Sequence, residues 1–490
     1  MTKPSLASRA PLVGLIPAAG KGSRARPYTH KTHKGLFNIN GRTAIERIVG
    51  IMRDDLNITE IIVIVGYLGD SIRNHLGDGS KYQVNISYIE NTMLERGWAW
   101  SLLLAGEYID THFCAMLCDE CYTSSNHAEL LQLPYEDYLG VCAGIRVDDV
   151  ALIKKNYAVE HDSMHVTSLV EKPETVTNDV MGSGTFIFSP KLFQILKDKF
   201  ENNNYCEFNV VDELNTSVQA GAQIGFFELH GNYVNVNDRD SLQLAKYHDR
   251  IAHFEEYKIS LLICPVGDEH DIQFTTNRYR ELALFDQILV VLPENHQLSE
   301  EIANANVESV VCPPGCTQFG ERVRFGLSNL DGDIYIITEA DYSFANRDVE
   351  KLLSYLKEAD MVVGTRTTRQ LIQQGSGMRG AVRLAHSALG KLLQMLWWTR
   401  EGRLTDIGCT FRAIWANSYR EMERNLSSTG PEFLAEMVIQ GLHDRQRVIE
   451  IPVNYFNRSK SLNRRHRNLH TFFRILFFIL HRRLKIRNSK

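Results

Sequence analysis

At 490 residues the chain is too long for one ordinary core, so two or three domains are expected, and an apolar content of 44% with 23% charged side chains excludes fibrous, disordered and membrane-embedded classes. The net charge of −5 is unevenly held: residues 451–490 carry 11 Lys and Arg and no acid, leaving 43 basic against 59 acidic side chains before them. An acidic body with a basic tail argues against a nucleic-acid partner for the body and for a separate anionic partner at the tail.

The apolar run "LVGLIPA" (residues 12–18) predicts a first strand, and "AGKGSRARPYTHKTHKGL" (19–36) after it predicts a long, flexible, basic loop. Gly20, Gly22 and Ala25 fit the loose dinucleotide pattern. However, Pro27 falls where that motif needs the first turns of a helix, and no acid closes a second strand about 20 residues on. A Walker A loop is excluded, because no Gly-Lys-Ser/Thr follows at the required spacing. The next helix, "AIERIVGIM", starts behind a capping box of Thr43 and Glu46, which leaves "HKGLFNING" as a short strand and turn. Glycines let backbone amides approach an anion closely, and Arg24, Arg26 and Lys34 add charge and donors suited to phosphate oxygens, so the loop reads as a polyphosphate cradle.

Further along, "EIIVIVGYL", "NISYIEN" and "FCAMLC" read as strands and "GWAWSLLLAGEYI" as a helix, the alternation of a parallel α/β sheet. Asp119 ends the third of these strands, where ligands of open α/β sheets sit. After residue 250 the order begins again: "KISLLICPVGDE", "QILVVLPENH" and "VESVVCPPG" as strands, "GERVRFGLSNL" as a helix, then "DIYIITEAD", a strand ending in acids. Two similar folds in tandem are expected, joined through the polar segment "YHDRIAHFEEYK" (247–258). The nine cysteines are an odd number without framework spacing. They argue for reduced thiols in a cytoplasmic setting, and Cys114, Cys118 and Cys121 near His112 read as buried strand residues rather than a zinc site. Residues 1–11 lack the apolar core of a signal peptide, and no apolar run approaches membrane-spanning length.

In the basic loop, Gly20, Gly22, Arg24, Pro27, Thr29 and Lys34 fill the signature GxGxRxxPxTxxxPK, with His33 in place of its second proline, and on these residues the first half resembles the sugar-phosphate nucleotidylyltransferases. The variant "HKGL" is more similar to the phosphocholine cytidylyltransferases. The resemblance implies nucleotide binding by Ala19, Gly20, Gly22, Ser23, Arg24 and Lys34, with Arg24, Lys34 and Asp119 catalytic. It also implies a Mg2+ ion, with Mn2+ as an alternative, held by Asp119 and by Asn235 or Asn237 of "YVNVNDRDSL", where many members have Asp. "VEKPE" and "GSGTFIF" resemble the acceptor motifs, so Lys172 is expected on the acceptor phosphate, Glu171 on its organic part and Gly184 where the acceptor approaches.

The second half carries "GDIYIITEADYSFANRDVEKLL", "VVGTR", "MRGAVRLAHSALGKLL", "LTDIGCTFRAI", "PEFLAEM" and "IEIPVNYFNRSKS" in order, and resembles family-2 glycosyltransferases of the dolichol-phosphate mannose synthase-like type. The resemblance implies metal binding by Glu339 and Asp341, the latter catalytic. It places Arg366, Arg379, Arg383, Asp406 and Arg412 around donor and acceptor, and Arg458 with Lys460 near phosphate. Asp268, Glu269 and Glu294 stand in loosely for the family's nucleotide-binding acids. A lipid phosphate acceptor needs no base, while Glu432 or Glu436 would serve a hydroxyl acceptor. The tail places Leu469, Phe472, Phe473, Leu476, Leu480 and Leu484 at helical spacing among basic residues. That pattern fits a helix lying on an anionic membrane surface or one docked on the second domain.

The expectation is thus an α/β protein of two tandem nucleotide-diphospho-sugar transferase domains (GT-A, Rossmann-like), each with a mainly parallel sheet, at 1–250 and 256–460, with a basic amphipathic tail at 461–490. The expected function is Mg2+-dependent nucleotidyl transfer from a nucleoside triphosphate to a sugar 1-phosphate, then glycosyl transfer to a membrane-proximal, polyprenyl-phosphate-type acceptor, on the cytoplasmic face of a membrane. The alternatives are a cytidylyltransferase making a CDP-alcohol such as CDP-choline, and an active first domain tethered to membranes by a degenerate second one.

Overall fold

The computed structural model describes residues 10–22, 28–264, 269–292, 308–373, 380–397, 403–456 and 464–488. The chain forms two compact units, Met1–Ala252 and His253–Lys490.

The strands of the first unit are β1 Val13–Ala18, β2 Asn38–Ile39, β3 Arg42–Thr43, β4 Glu60–Val65, β5 Asn85–Glu90, β6 Phe113–Met116, β7 Glu120–Thr123, β8 Gly140–Arg146, β9 Tyr157–Asp162, β10 His165–Glu171, β11 Val180–Phe188, β12 Ile224–Leu229 and β13 Asn232–Asn235. Nine of them form one sheet in the order β5-β4-β1-β6-β11-β8-β12-β10-β9. Its central strands β1, β4, β6 and β11 are almost wholly buried because both faces are covered, whereas the outer strands β5, β9 and β10 carry exposed polar residues. Along β1, Leu15 enters one core while Ile16 and Ala18 enter the other, and along β4, Ile62 and Ile64 oppose Ile61, Val63 and Val65. β1 pairs in parallel with β4 and β6, whereas β11 runs antiparallel to β6 and β8. β7 leaves this sheet to pair with β13, with Glu120 opposite Asn235. Helix Ala44–Asp54 starts at the expected capping box: the Thr43 hydroxyl accepts from the Glu46 amide, and the Glu46 carboxylate accepts from the Thr43 amide at 2.7 Å.

The polar segment at 247–258 is not wholly a connector. Helix Arg239–Ala252 runs through its first half, and the Asp249 and Arg250 charges that suggest solvent are buried. Asp249 accepts from Arg47 at 2.6 Å and from Asn40 at 2.8 Å, and Arg250 donates to Asn40, so these side chains hold the helix against the β2–β3 hairpin.

The second unit contains β14 Ile259–Cys264, β15 Gln287–Leu292, β16 Glu308–Val311, β17 Ile334–Glu339, β18 Met361–Thr365, β19 Arg412–Trp415 and β20 Val448–Pro452. They form a sheet in the order β16-β15-β14-β17-β19-β18-β20. Counted along the chain, this is third, second, first, fourth, sixth, fifth, seventh. Seven of the nine strands in the first unit's sheet, β5-β4-β1-β6-β11-β8-β12, have the same order once β9 and β10 are set aside. The sixth strand, β19, is again the antiparallel one, running against β17 and β18. The two sheets thus share this strand order.

The described helix of the expected tail is not separate from the second unit. Helix Arg464–Asn488 places Ile475 and Ile479 in the second unit's core. Arg474 donates to Glu432 at 2.7 Å, and Arg482 donates to the Gln440 side chain at 2.9 Å. Among the described residues no helix is long and apolar enough to cross a membrane.

Candidate functional site

A cavity of about 470 Å³ opens in the first unit beside the carboxyl ends of β1 and β6. Pro17, Ala19, Gly20, Gly22, His33 and Lys34 line it together with Cys118, Asp119 and Asn237. Lys34 is the pivot. Its ammonium is ion-paired to Asp119 and donates to the Asn237 amide oxygen at 2.8 Å, while Asn237 donates on to Asn235 at 2.7 Å. Three segments widely separated in sequence therefore meet at one nitrogen. Asp119 and Asn237 line the cavity directly, whereas Asn235 acts one hydrogen bond behind.

The turn that presents Lys34 is shaped by two neighbours. Gly22 has φ +56°, and a Cβ there would lie 2.8 Å from the Lys34 aliphatic chain, so only glycine fits without displacing the lysine. His33 is buried and its Nδ1 accepts from the Gly35 amide at 3.1 Å, which caps the short turn Lys34–Leu36. Burial lowers the His33 pKa to about 4, so the ring is neutral near pH 7, as this acceptor role requires. The residue in the signature's proline slot thus fixes the turn by a hydrogen bond instead of a ring. Ser23, Arg24 and Arg26 lie outside the described residues.

The proposed metal ligands can be tested on the donor geometry. Asp119 and Asn237 already bring a carboxylate and an amide oxygen onto one cation, the Lys34 ammonium, and both are oxygen donors suited to Mg2+ or Mn2+. The residues therefore fit a divalent ion. Among the described residues no group of three His, Cys, Asp or Glu side chains is arranged to hold a metal, so phosphate oxygens and water would supply the remaining ligands.

Sequence reasoning missed the buried network behind this site. Glu120 is 1% exposed, and its carboxylate accepts from Tyr122 at 2.5 Å, Tyr233 at 2.7 Å and the Gly184 amide at 3.0 Å. Glu120 ties β7, β13 and β11 together beside Asp119. Burial raises its pKa to about 7, against the pull of the tyrosine hydroxyls. The Tyr122 hydroxyl also meets Thr185 at 2.9 Å, and Thr185 meets buried His127 at 3.2 Å. The further lining residues Asn91, Trp98, Ser101 and Glu207 were missed as well.

The acceptor residues fall differently from expectation. Glu171 and Lys172 pair with each other at 3.2 Å and do not line the cavity. At Gly184 the space a side chain would fill is taken by the protein itself, since a Cβ there would lie 2.6 Å from Leu117 and 2.7 Å from Glu120. Cys114, Cys118 and Cys121 are free and buried.

In the second unit Glu339 closes β17 and Asp341 lies two residues beyond, the topological position that Asp119 holds after β6. Both acids are nearly buried. Glu339 accepts from Thr410 at 2.6 Å and Asp341 from the Ser343 amide at 3.2 Å. Arg366 and Asp406 come together as a buried ion pair, with bonds of 2.7 and 2.9 Å from the guanidinium and one of 3.0 Å from the Arg366 amide. His386 reaches the same carboxylate at 3.1 Å. Despite burial, Arg366 and His386 hold the Asp406 carboxyl far below the usual carboxylate range. Arg383 is partly exposed on helix Gly380–Trp397.

Two expectations here are corrected. Arg412 does not face a ligand: it is fully buried and donates to the carbonyls of Cys409 and Leu434, at 3.1 and 2.9 Å, because buried carbonyls need donors where water is absent. Burial lowers its pKa to about 10. Glu436 cannot serve as a base, because its buried carboxylate accepts from the amides of Ser427 and Ser428 at 3.0 and 2.8 Å. Glu432 is held by Arg474. Asp268, Glu294, Arg379, Arg458 and Lys460 lie outside the described residues, as do the side chains of Glu269 and Leu469.

Residues 13–249 match the family model for nucleotidyl transferase, so the first unit carries a nucleotidyl transferase domain. The UTP–glucose-1-phosphate uridylyltransferase AglF of Haloferax volcanii is 25% identical over 234 residues, covering 47% of this chain and 94% of that protein. The low-salt glycan biosynthesis nucleotidyltransferase Agl11 of the same organism is 28% identical over 221 residues, 44% of this chain, which spans only 60% of that relative. Among solved structures, the inositol-1-phosphate CTP transferase of T. maritima matches at 18% identity with a TM-score of 0.42, over 50% of this chain and 97% of that one.

Proposed function

We propose that the first unit transfers a nucleotidyl group from a nucleoside triphosphate to a sugar 1-phosphate, with Mg2+ as the accompanying ion. A phosphate oxygen of the acceptor attacks the α-phosphorus, the bond between α-phosphorus and bridging oxygen breaks, and pyrophosphate leaves with that electron pair. The observation that carries this reading is the convergence of Lys34, Asp119 and Asn237 beside the glycine loop. One cation and two oxygen donors there face the space where two polyanions must be neutralised together. The glucose-1-phosphate uridylyltransferase relative favours a sugar phosphate over an alcohol phosphate. Lys34 would hold triphosphate oxygens, and Asp119 with Asn237 would hold the ion, which supplies charge neutralisation across the phosphates when bound.

A second reading concerns the second unit, for which we infer glycosyl transfer from a nucleoside diphosphate sugar to a membrane-proximal acceptor, polyprenyl phosphate being the candidate. It is favoured by the repeated strand order, with Glu339 and Asp341 where the first unit has Asp119. The test is to incubate the protein with each nucleoside triphosphate and a panel of sugar and alcohol phosphates, following pyrophosphate release, and then to supply the product with lipid phosphate. Asp119→Ala should abolish the first reaction and spare the second, and Asp341→Ala should do the reverse. Release with phosphocholine alone would replace the sugar reading. Loss of both reactions from either change in a folded protein would refute two separate sites.

A further inference from the structure

The C-terminal helix is apolar on two faces, and only one of them is accounted for by packing. Ile475 and Ile479 are buried in the second unit, with Phe472, Leu476 and Phe478 partly buried beside them. Phe473, Phe477, Leu480 and Leu484 recur every three or four residues along the other side and are 59%, 77%, 43% and 59% exposed. At about 100° per residue these four fall within a narrow stripe nearly opposite Ile475 and Ile479. The helix Gly380–Trp397, which packs against this one, adds Leu384 and Met395, 67% and 64% exposed and three turns apart on one face. Single exposed apolar residues are ordinary, but an aligned stripe of large ones marks an interaction surface.

The charge around the stripe selects the partner. From residue 451 onward the chain has 11 Lys and Arg and no Asp or Glu. Arg482 and Arg483 lie within the described part of the helix; Arg482 bonds to the protein, whereas Arg483 is exposed and stacks over Trp397 at 5.6 Å. An apolar ridge in a wholly basic segment, on a helix fixed by its other face, is complementary to a surface with an apolar interior and an anionic rim. We propose that Phe473, Phe477, Leu480 and Leu484 form a ridge that seats the second unit in the interface of an anionic lipid bilayer. The helix does not cross the membrane, and its Ile475–Ile479 face stays in the protein core. This attachment holds whichever reaction the second unit performs.

The test is co-sedimentation of the full-length protein with vesicles of phosphatidylcholine alone and of phosphatidylcholine with phosphatidylserine, at low and high salt, beside the Phe473→Ser/Phe477→Ser double variant. Both positions are exposed, so circular dichroism and pyrophosphate release should be unchanged in the variant. The wild type should bind the anionic vesicles, more weakly as salt rises, and the variant should bind them roughly tenfold or more weakly. Equal binding by wild type and variant, or no binding to anionic vesicles, would overturn the proposal. Self-association that the variant abolishes while vesicle binding is unchanged would assign the ridge to a second copy of the chain and overturn it equally.

Discussion

Glu120 gives the most quantitative prediction. Its pKa is raised from 4.5 to about 7 by burial, so the native protein keeps a proton that the unfolded chain releases near pH 4.5. For a raised carboxyl, the unfolded state binds fewer protons between these values. Stability is therefore full below pH 4.5, falls as pH rises to about 7, and is flat above. At about 1.4 kcal/mol per pH unit, the loss across that window is about 3 kcal/mol. Hydrogen exchange of peptides from β11, which contains the Gly184 amide, reports opening of the first unit alone once the intrinsic pH dependence of exchange is removed. Glu120→Gln keeps the size and an acceptor for the tyrosines but cannot ionise. The wild type should lose about 3 kcal/mol between pH 4.5 and 7 relative to this variant. Parallel pH profiles for the two proteins would show that Glu120 is already ionised in the native state and refute the reasoning.

Lys34→Ala should lower pyrophosphate release by roughly 10² or more in a protein with unchanged circular dichroism, since it removes the ammonium that joins Asp119 and Asn237. Gly22→Ala should push the Lys34 chain aside and cost roughly tenfold in kcat/KM for the nucleoside triphosphate with a much smaller change in Tm, measured by steady-state kinetics and calorimetry. Asp406→Asn should strand the buried Arg366 charge and destabilise the second unit by about 3–5 kcal/mol, read by denaturant melts, while pyrophosphate release is unaffected.

What the sequence disclosed follows the physics of each signal. Strands buried on both faces are written as apolar runs, which is why β1, β4, β6 and their counterparts β14, β15 and β17 could be read directly. The Thr43–Glu46 capping box is a local pattern and was equally legible. The Lys34–Asp119–Asn237 meeting place was readable only in its parts, since its members lie up to 203 residues apart and only their residue types and strand-end positions signal chemistry. Glu120 was invisible because a single acid inside a β-run looks like a surface residue until Tyr122 and Tyr233 are brought onto it. Arg412 and Glu436 misled for the converse reason: charged residues suggested ligands, but each serves backbone groups. Asp249 and Arg250 made part of a helix look like a linker.

The way the last helix is anchored limits how the protein can be trimmed. Cutting the chain before residue 464 would take Ile475 and Ile479 out of the second unit's core and Arg474 away from Glu432, a carboxylate only 8% exposed. The shortened protein would expose an apolar trough and hold an uncompensated buried charge, so poor folding or aggregation would follow whatever the helix does on its outer side. Dissection of the helix therefore belongs to single side chains on its exposed ridge.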